Sequence, residues 1–168
     1  MAAATMRLVE DGKLCLSDPV AKYIPAFKDT KVAVYGKDSQ GNDTREIRAP
    51  KATMTVYHLL THTSGLTYGF FGNTNVDKLY RKSANLLQGD QTLQSMTEIL
   101  ATFPLLYQPG SKWHYSVSTD ILGRIVEVAS GQPLDKFFKE RIFERLGMED
   151  TAFYVPVEKI ERFATNYG

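Results

Sequence analysis

Several groups of side chains along this 168-residue chain have the types and spacing to do chemistry. His58 and His62 stand four residues apart, which brings two imidazoles to one helix face, as a zinc site requires. Leu59, however, takes the place of the glutamate in His-Glu-x-x-His, and no third ligand is evident, so the pair reads as two helix-face histidines. Ser64 lies outside any Gly-x-Ser-x-Gly elbow and is expected to cap or turn the backbone. Tyr115, two places after Trp113, could either move protons or pack as one more buried ring. Tyr68, Phe70 and Phe71 crowd one glycine-rich loop, where they would line an apolar pocket or anchor the loop. Lys112 is read as a solvated side chain, and Cys15, the one cysteine, can form no internal disulfide or cysteine cluster.

The elements that must position these groups are mostly helical. Met1 to Asp11 is rich in helix formers, with Gly12 as the expected left-handed stop. A short helix follows Asp18-Pro19 and ends at Tyr23, before Pro25. Lys31 to Tyr35 and Thr44 to Arg48 alternate around a polar, glycine-bearing turn and predict an exposed β-hairpin. Thr55 is the expected cap of a helix carrying Val56, Leu59 and Leu60 and ending near His62. Further helices are predicted over Asn75 to Leu87, Thr92 to Phe103, from a cap at Ser118 or Thr119 to Gly131, and from Pro133 to Gly147. The tail from Thr151 reads as loop, a turn at Pro156 and a strand at Arg162 to Tyr167. The fold class is therefore mainly α with a small β-hairpin, taken as one helical region over 1–168 with a hairpin insertion at about 31–48.

Bulk composition restricts the partners. Twenty basic and 19 acidic residues nearly cancel, which leaves no electrostatic reason to expect nucleic acid. No apolar run is long enough for a membrane span, and Met1 to Arg7 is too short for a signal peptide. If Met1 is the true start, a cytoplasmic location is expected.

Two segments are more specific than the rest: Leu59-Leu60-Thr61-His62-Thr63-Ser64-Gly65-Leu66, and Gln108-Pro109-Gly110-Ser111-Lys112-Trp113-His114-Tyr115-Ser116 followed by Asp120-Ile121-Leu122-Gly123. With Met6 to Leu14, Asp18-Pro19-Val20 and Phe143 to Met148 in matching order, they resemble the serine β-lactamase-related family. That family holds class C β-lactamases, D-alanyl-D-alanine peptidases and β-lactamase-like carboxylesterases. The resemblance runs over nearly the whole chain and implies the helical region of an α+β fold, with most of its sheet missing here. It implies acyl transfer, in which a serine of Ser-x-x-Lys attacks a carbonyl while the lysine and a tyrosine handle the proton. Tyr115 matches that tyrosine, and a phenol acts as a base only where an ammonium stabilises its phenolate.

Val117 stands where many relatives carry asparagine, which leans toward the esterase branch. Tyr68, Phe70, Phe71 and Val117 are the expected substrate-binding residues, the substrate a small acyl ester or a β-lactam, and no metal or organic cofactor is implied. No serine of this chain is followed three places later by lysine, and neither Lys-Thr-Gly nor His-x-Gly occurs. Ser83-Ala84-Asn85 matches the family's Ser-x-Asn by letters only. The chain is accordingly expected to be an internal piece of the parent enzyme, inactive alone, with a non-catalytic binding or assembly module as the competing reading. A homo-oligomer through the N-terminal helix is expected, because Ala2, Ala3, Met6, Leu8 and Val9 would lose cover without the sheet.

Overall fold

A computed structural model describes residues 1–83 and 91–165. In chain order it contains α1 (Ala2–Glu10), α2 (Val20–Tyr23), a 3-10 turn (Pro25–Asp29), β1 (Val32–Lys37), β2 (Asp43–Arg48), α3 (Val56–Leu60), α4 (Asn75–Lys82), α5 (Leu93–Ala101), α6 (Ser118–Ser130) and α7 (Leu134–Phe138). The expected architecture, helices with one antiparallel hairpin, is what the described residues form.

The core is built around α6. Ile121, Leu122, Ile125 and Val126 form one apolar stripe and are all buried. That stripe is covered by α1, α2, α3, α5 and α7, which bring Leu8, Val20, Leu59, Leu100 and Phe137 into the same core. At the end of α1, the Lys13 amide donates to the Leu8 carbonyl at 2.9 Å and the Gly12 amide to the Val9 carbonyl at 3.0 Å. Gly12, at φ +69°, supplies the left-handed residue that this double closure demands. Arg141 reaches back to Asp11 and ties the segment after α7 to the same helix end.

The hairpin pairs Val32 with Arg48 through Lys37 with Asp43, so β1 begins one residue later and ends two residues later than the alternation indicated. Only its root is buried. Val32 and Ala33 sit in the core, where the Ala33 amide donates to Leu105 O and the Leu105 amide to Lys31 O. Asp38 organises the turn by accepting from the Gln40 and Asn42 amides, each at 2.9 Å.

Four expectations change. The helix predicted from Pro133 to Gly147 is α-helical only to Phe138 and continues as a π turn over Lys139–Phe143 and a 3-10 turn over Glu144–Leu146. Helix α6 has no side-chain cap: Val117 is its N-cap residue, and Ser118 is its first residue, with its hydroxyl turned into the interior. The predicted strand at Arg162 to Tyr167 is replaced by a 3-10 turn over Val157–Arg162, because Lys159 and Arg162, three apart, both close on Asp150. Residues 166–167 of that expected strand lie outside the described residues, as do 84–87 of the helix predicted to run to Leu87 and the Ala84-Asn85 part of the Ser-x-Asn triplet. On α1, Leu8 is covered by the chain itself, whereas Ala2, Ala3 and Met6 stay exposed and Val9 is half-buried.

The approach to α2 is held by polar contacts to Asp18. The Oδ2 atom of Asp18 accepts from the Cys15 amide and the Lys22 ammonium at 2.9 Å each, and from the Tyr23 hydroxyl at 2.5 Å. The Tyr23 hydroxyl first, and Lys22 second, hold the Asp18 carboxyl down to about 2. A carboxylate depressed on folding stabilises the fold above its unfolded value of ~3.9, and that contribution is lost as pH falls through the folded value. Asp18→Asn is therefore expected to lower stability at pH 6 and to flatten its decline between pH ~4 and ~2, measured by urea unfolding. Parallel acid limbs for the two proteins would contradict this.

Candidate active site

The two distinctive sequence segments lie side by side, laced by backbone hydrogen bonds. The Gly65 carbonyl accepts from Leu106 N at 2.7 Å, the Thr63 carbonyl from Gly110 N at 2.7 Å, and the His62 carbonyl from His114 N at 2.8 Å. This approach is possible only with glycine at position 65. Its φ is +87°, and a Cβ there would lie 2.1 Å from the Tyr107 carbonyl oxygen. His62 itself holds φ +53°, the one left-handed non-glycine among the described residues.

Below the lacing runs a chain of three hydroxyls. Ser118 Oγ lies 2.8 Å from Ser64 Oγ and 2.8 Å from Ser116 Oγ, and all three serines are fully buried. Ser64 Oγ also accepts from the Leu66 amide at 3.2 Å, the turn role expected of it. These serines bond one another and the backbone, so they join the turn after α3, the Tyr115 segment and α6.

Above the lacing is an open face of rings. Tyr115 is 45% exposed, with the His62 ring 4.7 Å away, Tyr68 at 5.4 Å and Phe71 at 6.2 Å, centroid to centroid. Tyr68 stacks on Phe70 at 5.2 Å, and Trp113 stands 6.3 Å from His62. The loop that presents Phe70 and Phe71 is pinned from behind by Arg81, which donates to the carbonyls of Gly69 and Gly72 and to Asn73 Oδ1. Of the residues expected to touch substrate, Tyr68, Phe70 and Phe71 thus gather around Tyr115. Val117 does not: it is 2% exposed and packs in the core at the start of α6, because the turn into that helix points its side chain inward.

The face around Tyr115 is weakly charged. Burial lowers the pKa of His62 and favours the neutral imidazole. Burial, and then Asp120, raise the Tyr68 phenol, while burial raises the Asp120 carboxyl, whose Oδ2 accepts from the Tyr68 hydroxyl at 3.5 Å. The cation–π contacts among the described residues fall on Tyr23, Tyr107 and Phe137, and on none of Tyr115, Tyr68, Phe70 and Phe71. Lys112 spans to the Tyr107 hydroxyl at 3.3 Å.

His58 is engaged elsewhere. Its amide donates to Thr55 Oγ1 while its Nδ1 accepts from the Thr55 amide at 3.2 Å, a reciprocal cap with histidine in the usual place of glutamate. That bond turns His58 away from His62, and among the described residues no His, Cys, Asp or Glu trio could hold a metal ion.

Two arrangements were not legible beforehand. One is the ring contact of His62 with Tyr115, which depends on the left-handed turn at the end of α3. The other is a hydrogen-bonded chain from the buried Asp77 through the buried Thr67 to the half-buried His114. Its one sequence sign was Thr74-x-x-Asp77, which is indeed a capping box on α4.

The family described as Beta-lactamase matches residues 1–168. The chain belongs to this β-lactamase family. It is 39% identical over 165 residues to protein Rv1367c of Mycobacterium tuberculosis, covering 98% of this chain and 39% of that protein. With esterase EstB of Burkholderia gladioli it shares 36% identity over 168 residues, covering 99% of this chain and 38% of the esterase. The solved structure of EstCE1, a hydrolase with promiscuous acyltransferase activity, superposes with a TM-score of 0.72 at 29% identity, over 93% of this chain and 37% of that one. The chain thus spans about two-fifths of the length of the curated relatives it matches. Its homologues in the β-lactamase family include esterases, acyltransferases and carboxypeptidases, and its helices and hairpin are part of the β-lactamase and penicillin-binding-protein fold.

The hydroxyl chain gives a stability test. Ser118→Ala strips the shared partner from two buried hydroxyls, and a buried polar group left unpaired costs ~1–3 kcal/mol. A loss in that range is expected by urea unfolding of Ser118→Ala. A change under ~0.5 kcal/mol would show that the chain carries no stability.

Proposed function

We propose that this chain supplies the tyrosine-bearing wall of a serine acyl-transfer site that works on small neutral esters, the carboxylesterase type of reaction. The observation that carries this reading is the half-exposed Tyr115 set among uncharged rings, with no cation lying on them among the described residues. β-Lactams and D-alanyl peptides present a carboxylate, and a buried carboxylate requires cationic or hydrogen-bonding partners. Tyr68, Phe70 and Phe71 offer it apolar surface instead. An ester's acyl group would lie on these rings while the Tyr115 hydroxyl moves the proton between nucleophile and leaving alkoxide. Esterases among the relatives support the same reading.

No serine of this chain is followed three places later by lysine, so the chain by itself is expected to turn over no ester. The assay is 4-nitrophenyl butyrate and cephalosporin hydrolysis on the purified chain, with a serine-directed phosphonate as label. Turnover abolished by mutating one of its serines would overturn this.

Binding tests the wall directly. The ester 2-naphthyl acetate, followed by Trp113 fluorescence, is expected to bind more tightly than benzylpenicillin. Phe70→Ala and Phe71→Ala are each expected to weaken the ester ~2- to 10-fold, the worth of one aromatic contact. Tighter binding of penicillin, or unchanged affinity in both variants, would refute the ester reading.

The proposal extends to assembly. Met6 is 42% exposed on α1 beside the open Ala2 and Ala3, and we take this face as a two-fold self-contact. Light scattering at micromolar concentration is expected to give a dimer that Met6→Lys dissociates. A monomer before substitution would end the idea.

A further inference from the structure

Beneath the aromatic loop lies a carboxylate whose hydrogen-bond partners carry no positive charge. Asp77 is 1% exposed. Its Oδ2 accepts from the Thr74 amide at 2.9 Å and the Thr74 hydroxyl at 2.7 Å, and its Oδ1 accepts from the Thr67 hydroxyl at 3.1 Å. Thr67 has one hydroxyl hydrogen, and Asp77 takes it. The Thr67 oxygen is left to accept, which it does from the Gly69 amide at 3.1 Å. The third neighbour of that oxygen is His114 Nε2, also at 3.1 Å. With the threonine hydrogen already committed, the hydrogen of this contact must come from the imidazole. His114 is thereby fixed with its proton on Nε2 and Nδ1 bare, a tautomer dictated by the order of donors and acceptors.

His114 precedes Tyr115 in sequence and joins three parts of the site. Its amide donates to the His62 carbonyl at 2.8 Å, its ring lies edge-on to Phe71 at 6.1 Å, and its Nε2 reaches the root of the aromatic loop. We propose that His114 is a positioning residue for the acyl wall, locked by Asp77 through Thr67 in the one tautomer that ties the aromatic loop to the segment bearing Tyr115. This rests on the reading of Tyr68, Phe70 and Phe71 as that wall.

The test combines a spectroscopic signature with rescue by a conservative variant. Long-range proton–nitrogen correlation at pH 7.5 is expected to show His114 protonated on Nε2 alone. Thr67→Val removes the relay while leaving the Thr74 cap of α4 in place, and is expected to mix the two tautomers. The same variant should weaken 2-naphthyl acetate binding about threefold to tenfold, the worth of one hydrogen bond. His114→Gln sets an amide N–H near the Nε2 position and is expected to stay within about twofold of the parent chain, while His114→Leu should fall with Thr67→Val. Melting curves on all three variants separate loss of folding from loss of position. Mixed tautomers in the unsubstituted chain, or equal affinity of the Leu and Gln variants, would overturn the proposal. If the unsubstituted chain binds no ester, the acyl-wall reading falls, and the tautomer lock is judged on the nitrogen spectrum, where a mixture still refutes it.

Discussion

The structure depends on how closely the Ser64-Gly65 turn approaches the Tyr107 backbone. With a Cβ 2.1 Å from that carbonyl excluded, only glycine lets residues 62–65 lie against residues 106–114. Once they are together, three backbone bonds and the Ser64–Ser118–Ser116 hydroxyls fix the depth of Tyr115 relative to α6. Each hydroxyl is buried and paired with another, so displacing any one leaves a desolvated polar group behind. That asymmetry makes the junction rigid with little apolar area of its own.

A second constraint comes from the opposite side. The loop carrying Phe70 and Phe71 exposes more than half of each ring, an unfavourable arrangement for a loop free to collapse. Arg81 gathers the carbonyls of Gly69 and Gly72, and Asp77 gathers the hydroxyls of Thr67 and Thr74 and the Thr74 amide, so both ends of the loop are tied by polar bonds. The exposed rings are therefore presented by a polar scaffold instead of being held by a core. Tyr115, fixed by the serine junction, and the loop, fixed by Asp77 and Arg81, meet as two separately anchored surfaces, with His114 bonded to both, through its ring to Thr67 and through its amide to the His62 carbonyl.

The apolar surface of the chain is unevenly covered. Helix α6 is enclosed by five helices, while Leu146, Phe153, Tyr154, Val157, Ile160 and Phe163 remain open along the last third of the chain. The hairpin is the opposite case: buried at Val32 and Ala33, polar beyond, and held by its own turn. Surface of the first kind is favourable only when something lies on it.

The sequence by itself determined where the helices lie and several of their stops, though not that the helix after Pro133 leaves α geometry at Phe138. Local rules were sufficient for Gly12, Gly131, Thr55 and the polar turn of the hairpin, because caps and turns are set by neighbours within four residues. It also determined the family, through two segments whose order and wording are rare. It failed where a distant partner outweighed local preference. Ser118 had the composition of a cap, yet its hydroxyl satisfies Ser64, 54 residues away. Val117 stood next to the tyrosine in sequence but inside the core in space, since a helix start reverses side-chain direction within two residues. Arg162 was expected to open a strand, but Asp150 draws it into a turn. His114 offered no periodicity or motif of its own. Its tautomer and its role were decided by a carboxylate 37 positions earlier, and only the tertiary structure brings that carboxylate, one threonine and one imidazole into a single hydrogen-bonded line.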